Sequence, residues 1–419
     1  GQIMDRSRLT RNILLGMLLG LVLGSLIHAM ALDTSSFLTV YLVDGIFDVG
    51  GKVFIASLKL LVVPLVFVSL VSGASNLSGE GHMGRIGIKA VGLYLMTTAI
   101  AICLALLLAN LINPGMGFNM AAATEFVAKE SPSLKQVVIN IFPTNPIQAM
   151  AETNMLQIIV FAILLGVAIT KAGAHGERLR DTFNDWNEVV MGLVLMLMNV
   201  APIGVFCLMV TLFSKMGFSA ISQLIYYFVA VLLVLMVHFF VTYPMLIRFV
   251  AGLNPITFYK RMMPVMVFAF STSSSGATLP VTLEAVKKRL GVKNQVASFI
   301  IPLGATINMD GTAIMQGVAT VFIAQAFNVD ISLSGYLMVI LTATLASIGT
   351  AGVPGVGLIT LALVLTQVGL PVEGIALIIG VDRLLDMTRT VVNVVGDATV
   401  ATIVARSEGQ FEQAVFDSE

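Results

Sequence analysis

Apolar positions in this chain come in long uncharged blocks and do not alternate with polar ones. The blocks lie at 12–32, 60–79, 90–124, 153–170, 189–214, 216–247, 262–283 and 331–372. Two further apolar stretches, 294–329 and 374–405, are interrupted by aspartates. A helix needs about 20 apolar residues to cross a bilayer, whereas transmembrane strands read as alternating segments of about ten. The pattern therefore predicts an all-α polytopic membrane protein. The first block is too long for a cleaved signal peptide, and no small-residue cleavage site follows it.

Basic residues orient the spans, because Lys and Arg gather on the cytoplasmic side. Arg6, Arg8 and Arg11 place the N-terminus inside, and the acidic segment 33–50 suits an outside loop. Arg85 and Lys89 are inside, 113–152 with its Pro-rich turns is outside, and Lys171, Arg178 and Arg180 are inside. The Lys215 loop is outside, and Arg248, Lys260 and Arg261 are inside. Alternation then fails. Block 262–283 is followed by Lys287, Lys288, Arg289 and Lys293, so both of its flanks belong inside. A hairpin that enters and returns satisfies this, with STSSSGATLP (271–280) as turn material. Block 331–372 is bounded by Asp330 and Glu373, contains no Lys or Arg, and carries SIGTAGVPGVG (347–357) at its middle. It reads as a second hairpin dipping from outside. Taken singly, either segment also reads as a helix kinked by Gly and Pro. Non-helical backbone at membrane depth is tolerated only in protein or against a wet cavity, so opposed hairpins predict a polar site between their tips.

Composition agrees. Apolar residues make up 57% and charged residues 11%, against roughly 25% charged in soluble domains. Lys+Arg equals Asp+Glu at 23 each, so no basic surplus points to nucleic acid. Cys103 and Cys207 sit in apolar runs and read as small buried hydrophobes.

Each hairpin precedes an acidic motif: ATINMDGT (305–312) and DRLLDMTRTVVNVVGD (382–397). This is a weak internal repeat of the kind inverted-repeat transporters show. On a helix, Asp386, Arg389, Thr390, Asn393 and Asp397 share one face, with Val391, Val392 and Val395 opposite. Ionised groups inside a span are costly unless paired. A structural ion pair between Asp386 and Arg389 is the plain reading, but it leaves Thr390, Asn393 and Asp397 without a reason. The functional reading gives Arg389 a carboxylate, gives Asp386 an ammonium, and lets Thr312 reach the same carboxylate as Arg389. Asn393 and the backbone N–H groups of Ser273 to Gly276 then receive a second carboxylate. Asp310 and Asp397, beside small and amide residues, suit hard monovalent cations. A helix cap or a protonated acid is the alternative for Asp310. The four histidines, His28, His82, His175 and His238, are scattered, and none is expected near the motifs.

SSSGATLP (273–280), NMDGT (308–312), SIGTAGVPG (347–355) and DMTRTVVNVVGD (386–397) closely resemble the glutamate transporter family of dicarboxylate/amino acid:cation symporters. The likeness implies eight transmembrane helices, two re-entrant helical hairpins, inverted repeats and a homotrimer working as an elevator. It implies scaffold helices 1 and 2 within 1–85, transport helix 3 within 86–112, and an extracellular loop with scaffold helices 4 and 5 within 113–215. The rest of the transport domain lies in 216–419, with hairpin 1 at about 256–290 and hairpin 2 at about 331–370. By motif, Arg389 and Thr312 hold the substrate side chain, Asp386 the amino group, and Asn393 with Ser274 and Ser275 the main-chain carboxylate. Thr390 lies beside them, and Gly352 and Val353 close over the site. One Na+ falls to Asp397, Asn393, Asn308 and the Gly304 carbonyl. A second falls to carbonyls of Thr306, Ser347, Ile348 and Thr350. A third falls to Asp310, Asn308, Thr97, Thr98 and Tyr94.

Within the family, C4-dicarboxylate carriers lack acids at 386 and 397, proton-coupled members often lack 397, and neutral exchangers lack the arginine at 389. All are present here, which implies Na+-coupled uptake of aspartate or glutamate across a plasma (inner) membrane, with both termini cytoplasmic. One departure is that the arginine relatives carry at the position of Ser273 or Met387 is absent, with Arg383 nearby. Proton-coupled glutamate or C4-dicarboxylate symport is the alternative, and an ion channel is the rival class. No enzyme is implied, since the Ser274 motif holds no His or Lys to activate it.

Overall fold

The computed structural model describes residues 2–33, 35–75, 82–117, 134–216, 218–346 and 356–418. Among these residues the regular structure is helical, and the only bridge between extended segments joins Val292 to Phe411. α1 (Gln2–Ala29) is followed by wide π-type turns over Leu38–Phe47 that run straight into α2 (Asp48–Ser75). Most of the acidic segment expected as a loop at 33–50 is thus helical. α3 (His82–Ile112) is long, α4 (Leu134–Asn140) and α5 (Pro146–Ala151) are short, and α6 spans Met155–Thr170. The uncharged block 189–214 is not one helix. α7 (Ala174–Met198) and α8 (Ala201–Met216) meet at a turn before Pro202.

α1 lies along α8 because α1 carries glycines every fourth residue. A Cβ on Gly16, Gly20 or Gly24 would sit 2.6 Å from Pro202 O, 2.8 Å from Met209 Cβ and 2.8 Å from Phe213 Cβ respectively. Such small-residue stripes let helix backbones approach closely in membranes. α2 packs on α6, α7 and α8.

α9 (Phe218–Val237) continues through π-type turns at His238–Thr242 and Leu246–Val250, on either side of α10 (Tyr243–Met245). Among the described residues, Gly84–Ile112 and Leu224–Val250 are long and apolar enough to cross a bilayer. The first predicted hairpin is α11 (Pro255–Thr272) against α12 (Ser275–Ala285), with left-handed Ser273 (φ 53°) at the reversal. The turn is shorter than the sequence suggests, because SGATLP is already helix. The second block forms α15 (Leu333–Ala346) and α16 (Val356–Gln367), which pack together. Its expected tip, with Ser347, Ile348, Thr350, Gly352 and Val353, lies outside the described residues.

The two motifs fall on the most enclosed helices. α13 (Asn294–Ile307) and α14 (Asp310–Ala326) form one interrupted helix, broken at Asn308 and Met309. α17 (Ile379–Ser407) crosses α14 and both arms of the first hairpin, and α18 (Gln413–Asp417) follows. From Val392 to Ala405 every residue of α17 is buried, Val392 and Val395 included. The face opposite the polar stripe therefore meets protein too. Cys207 is buried as expected, but Cys103 is exposed.

Candidate functional site

The break at Asn308 and Met309 frees backbone groups in the middle of the fold. One of them, Gly311 N–H in the first turn of α14, donates to Asn393 Oδ1 on α17 at 2.7 Å. The crossing is close: a Cβ on Gly311 would lie 2.9 Å from Arg389 Cα. Asp310 is the first helical residue, and its side chain does not cap α14. It turns to α3 and α9. Its Oδ1 lies 3.2 Å from Thr97 Oγ1 and 2.9 Å from Thr98 Oγ1, and its Oδ2 accepts from Tyr243 OH at 2.6 Å.

His238 Nε2 reaches the same Oδ2 at 3.1 Å, so a histidine does lie beside the motif, against the sequence expectation. At 3.6 residues per turn, positions 238 and 243 diverge by about 140°. The π-type turn over His238–Thr242 narrows that angle and brings both side chains onto one oxygen. The rings also meet edge to face, with centroids 4.5 Å apart.

Thr97 and Thr98 hydroxyls lie equally within reach of Tyr94 O, at 3.1 and 2.8 Å. Each hydroxyl has one hydrogen, so each chooses between the carbonyl and Asp310. Two hydroxyl oxygens, one carboxylate and one carbonyl thus converge, an oxygen-only set of the kind hard cations prefer.

Asp397 lies one step along. Its Oδ1 accepts from Asn308 Nδ2 at 3.0 Å, and Asn308 Oδ1 is buried with no hydrogen-bond partner. Gly304 and Gly396 make room: a Cβ on Gly304 would lie 2.6 Å from Asp397 Oδ1, and one on Gly396 would lie 2.6 Å from Tyr243 OH and 2.9 Å from Asn308 Nδ2. Tyr94 OH donates to Ile300 O at 2.9 Å. The Gly304 carbonyl accepts from Asn308 N–H, and Thr306 lies in the last turn of α13.

Arg389 is 1% exposed, and its two Nη atoms engage acids of its own helix. Nη1 and Nη2 donate to Asp382 Oδ1 and Oδ2 at 2.6 and 3.3 Å, and Nη2 also donates to Asp386 Oδ1 at 3.1 Å. Side chains on a helix lean toward its N-terminus, which lets the arginine reach back two turns to Asp382. Asp382 was absent from the sequence-derived site, although seven residues separate it from Arg389 and place it on the same face. Thr390 Oγ1 donates to Asp386 O at 2.8 Å. Thr312 is buried, and a Cβ on Gly357 of α16 would lie 3.4 Å from its Cγ2 and 3.3 Å from Arg389 Nη2. The second hairpin's returning arm therefore passes directly over Arg389 and Thr312. Ser274 and Ser275 are buried at the reversal of the first hairpin, where Ser274 O accepts from Thr278.

The description of the Sodium:dicarboxylate symporter family matches residues 9–407. The chain belongs to that family. Relatives include a proton/glutamate-aspartate symporter of Escherichia coli, 34% identical over 96% of this chain and 93% of its own length. An excitatory amino acid transporter of Caenorhabditis elegans is 33% identical over 95% and 88%. A C4-dicarboxylate transport protein of Rhodospirillum rubrum is 33% identical over 87% and 83%. Members of the Sodium:dicarboxylate symporter family are membrane transporters that carry their cargo by symport; they are not enzymes.

Proposed function

We propose that the chain is a secondary active symporter that takes up aspartate or glutamate together with Na+. The observation that carries this reading is the pair of buried acids, Asp310 and Asp397. Among the described residues they are held by hydroxyls, an amide and an imidazole, with no Lys or Arg on either. Burying an ion without a counter-charge costs several kcal/mol, and a monovalent cation among these oxygens offsets it. The orphaned Asn308 Oδ1 supplies one more ligand.

Arg389 supports an acidic substrate, and the electrostatics explain the coupling. One guanidinium between two carboxylates leaves an excess negative charge in the core. An acidic amino acid adds another, so its entry requires cations to arrive with it. Arg389 and Thr312 then take the side-chain carboxylate, Asp386 the ammonium, and Asn393 with the first hairpin's tip the main-chain carboxylate. Na+ lies at Asp397 with Asn308, at Asp310 with Thr97, Thr98 and Tyr94 O, and at the carbonyls near Thr306. In this reading the protein is a homotrimer in an inner or plasma membrane with both termini cytoplasmic. The α3, α9 and α11–α17 body slides against a scaffold that includes α1, α2, α6 and α8.

Proton coupling is the second reading, favoured by the E. coli relative's name and by His238 on Asp310. Reconstituted protein in vesicles decides between them. Radiolabelled aspartate should accumulate under an inward Na+ gradient at equal pH on both sides. Uptake driven by a proton gradient in Na+-free buffer would replace the Na+ reading.

A further inference from the structure

We infer that the N-terminal half of α1 and the joint between α7 and α8 form a seat for an anionic glycerophospholipid. The seat goes beyond the transport reading and does not depend on what is transported. α1 and α8 cross tightly at Gly16, where a Cβ would lie 2.6 Å from Pro202 O. Beside that crossing a groove of about 510 Å³ lies between the two helices. Leu15 and Leu19 of α1 line one wall, and Ile203 and Phe206 of α8 line the other. Leu15, Leu19 and Ile203 are 49, 59 and 68% exposed, so apolar walls stand uncovered by the chain itself.

One end of the groove is polar. Asn12 and Asn199 line it there, and among the described residues neither side chain has a hydrogen-bond partner. Pro202 has no N–H, so the Met198 carbonyl loses the donor that an unbroken helix would give it. Non-helical backbone inside a bilayer needs polar company, and this joint faces outward, with Asn199 and Val200 exposed.

Charge completes the series. Arg8, Asn12, Leu15 and Leu19 stand at i, i+4, i+7 and i+11 and share one face of α1. Arg11 lies beside that face. Both arginines are exposed, and among the described residues neither is paired with an acid. Along α1 the order is therefore cation, amide, apolar wall. A phospholipid presents the complement in the same order: phosphate, glycerol esters, acyl chain. From Arg8 to Leu19 the helix rises about 16 Å, close to the ~15 Å half-thickness of the hydrocarbon core. A zwitterionic lipid brings its own cation and gains less from the arginines than an anionic one.

The test places a fluorescent reporter in the groove of the full-length protein in vesicles. Trp186 is the chain's one tryptophan. In a Trp186→Phe background, Phe206→Trp reports on the groove. Leu26→Trp is the control, since Leu26 is exposed on the same face of α1 but in its other half. The probes are phosphatidylglycerol and phosphatidylcholine brominated on the acyl chain, which quench a tryptophan they touch. The groove reporter should favour phosphatidylglycerol roughly fivefold, and the control should show no preference. Arg8→Gln combined with Arg11→Gln should abolish the preference. Arg8→Lys combined with Arg11→Lys should keep most of it, which separates loss of the cations from loss of the fold. Asn12→Leu, which leaves surface charge unchanged, should lower the preference by about half.

No preference at the groove reporter, or an equal preference at both reporters, overturns the seat. So does a preference that the Gln variant abolishes and Asn12→Leu leaves untouched, since a loose ring of anionic lipid gives that result. If both lipids quench the control and neither quenches the groove reporter, a second copy of the chain covers the groove, and the lipid seat is again overturned.

Discussion

α17 carries acids in two settings that differ in one respect. In its first half, Asp382 and Asp386 close on a guanidinium that the chain itself supplies. In its second half, Asp397 and the neighbouring Asp310 are as deeply buried, yet among the described residues they meet only hydroxyl, amide and imidazole donors. Hydroxyl and amide donors orient a carboxylate without cancelling its charge. In the proposed reading, the half that builds in a cation receives an anion, and the half that omits one receives a cation from solution. Asn308, Tyr243 and Gly396 join the two oxygen clusters, and Gly311 and Asn393 join them to the arginine. In the proposed reading, these shared contacts are what couples one site to the next.

The contrast breaks most severely at Arg389. Arg389→Ala leaves Asp382 and Asp386 facing each other without a counter-charge, a change of about 3–5 kcal/mol. Aspartate affinity should fall by two orders of magnitude or more, read by equilibrium binding to purified protein, and retained affinity would remove the arginine from the site. Next in size is the second cluster. Asp310→Asn or Asp397→Asn removes the charge that calls for a cation. Each should lower the steepness of Na+ dependence in aspartate binding by about one ion, with aspartate affinity at saturating Na+ reduced less than in Arg389→Ala. An unchanged Na+ slope in both variants would mean the cations bind elsewhere.

A steric variant sharpens the link between the clusters. Gly396→Ala places a methyl 2.6 Å from Tyr243 OH and 2.9 Å from Asn308 Nδ2. Both atoms belong to side chains fixed by Asp310 and Asp397, so they cannot swing away cheaply. Overpacking of this sort costs about 1–3 kcal/mol. Na+ affinity should drop roughly tenfold with the number of coupled ions unchanged, measured as a rightward shift of the same Na+ binding curve.

What could be read from the chain before its structure follows the physics of each signal. Long uncharged blocks report helices and report them well, but not their joints: nothing in 189–214 announces the turn before Pro202, because Pro at the start of a helix costs little. The polar stripe of α17 was legible through 3.6-residue periodicity, and the same periodicity extended by one turn reaches Asp382. Its role was hidden because a lone aspartate has no visible partner until the arginine's direction is known. His238 and Tyr243 were hidden for the opposite reason. Their convergence depends on a π-type turn, which defeats the helical wheel used to look for it. An ionisable residue inside an apolar span was still a usable flag, and His238 fits that description.

The smallest expected effect lies outside the buried clusters, where α3 begins and α17 ends. Arg85 meets Glu408 with two bonds, Nη2 to Oε2 at 2.7 Å and Nε to Oε1 at 3.1 Å, and Lys89 on the next turn of α3 joins the same carboxylate. Hydrogen bonds from Lys89 and Arg85 hold the Glu408 carboxyl below its ordinary value of 4.5. A depressed folded-state pKa stabilises above the unfolded value and loses that contribution as pH falls through the folded one. Glu408→Gln should therefore melt about 1–2 °C below wild type at neutral pH. The gap should close as the buffer is taken well below pH 4.5, where wild type also carries a neutral side chain. Arg85 is more than half exposed, so salt at about 0.5 M should narrow the neutral-pH gap as well. A salt-insensitive gap would mean that Glu408 acts by packing and not by charge, in contrast to the arginine-bound acids further up the same helix.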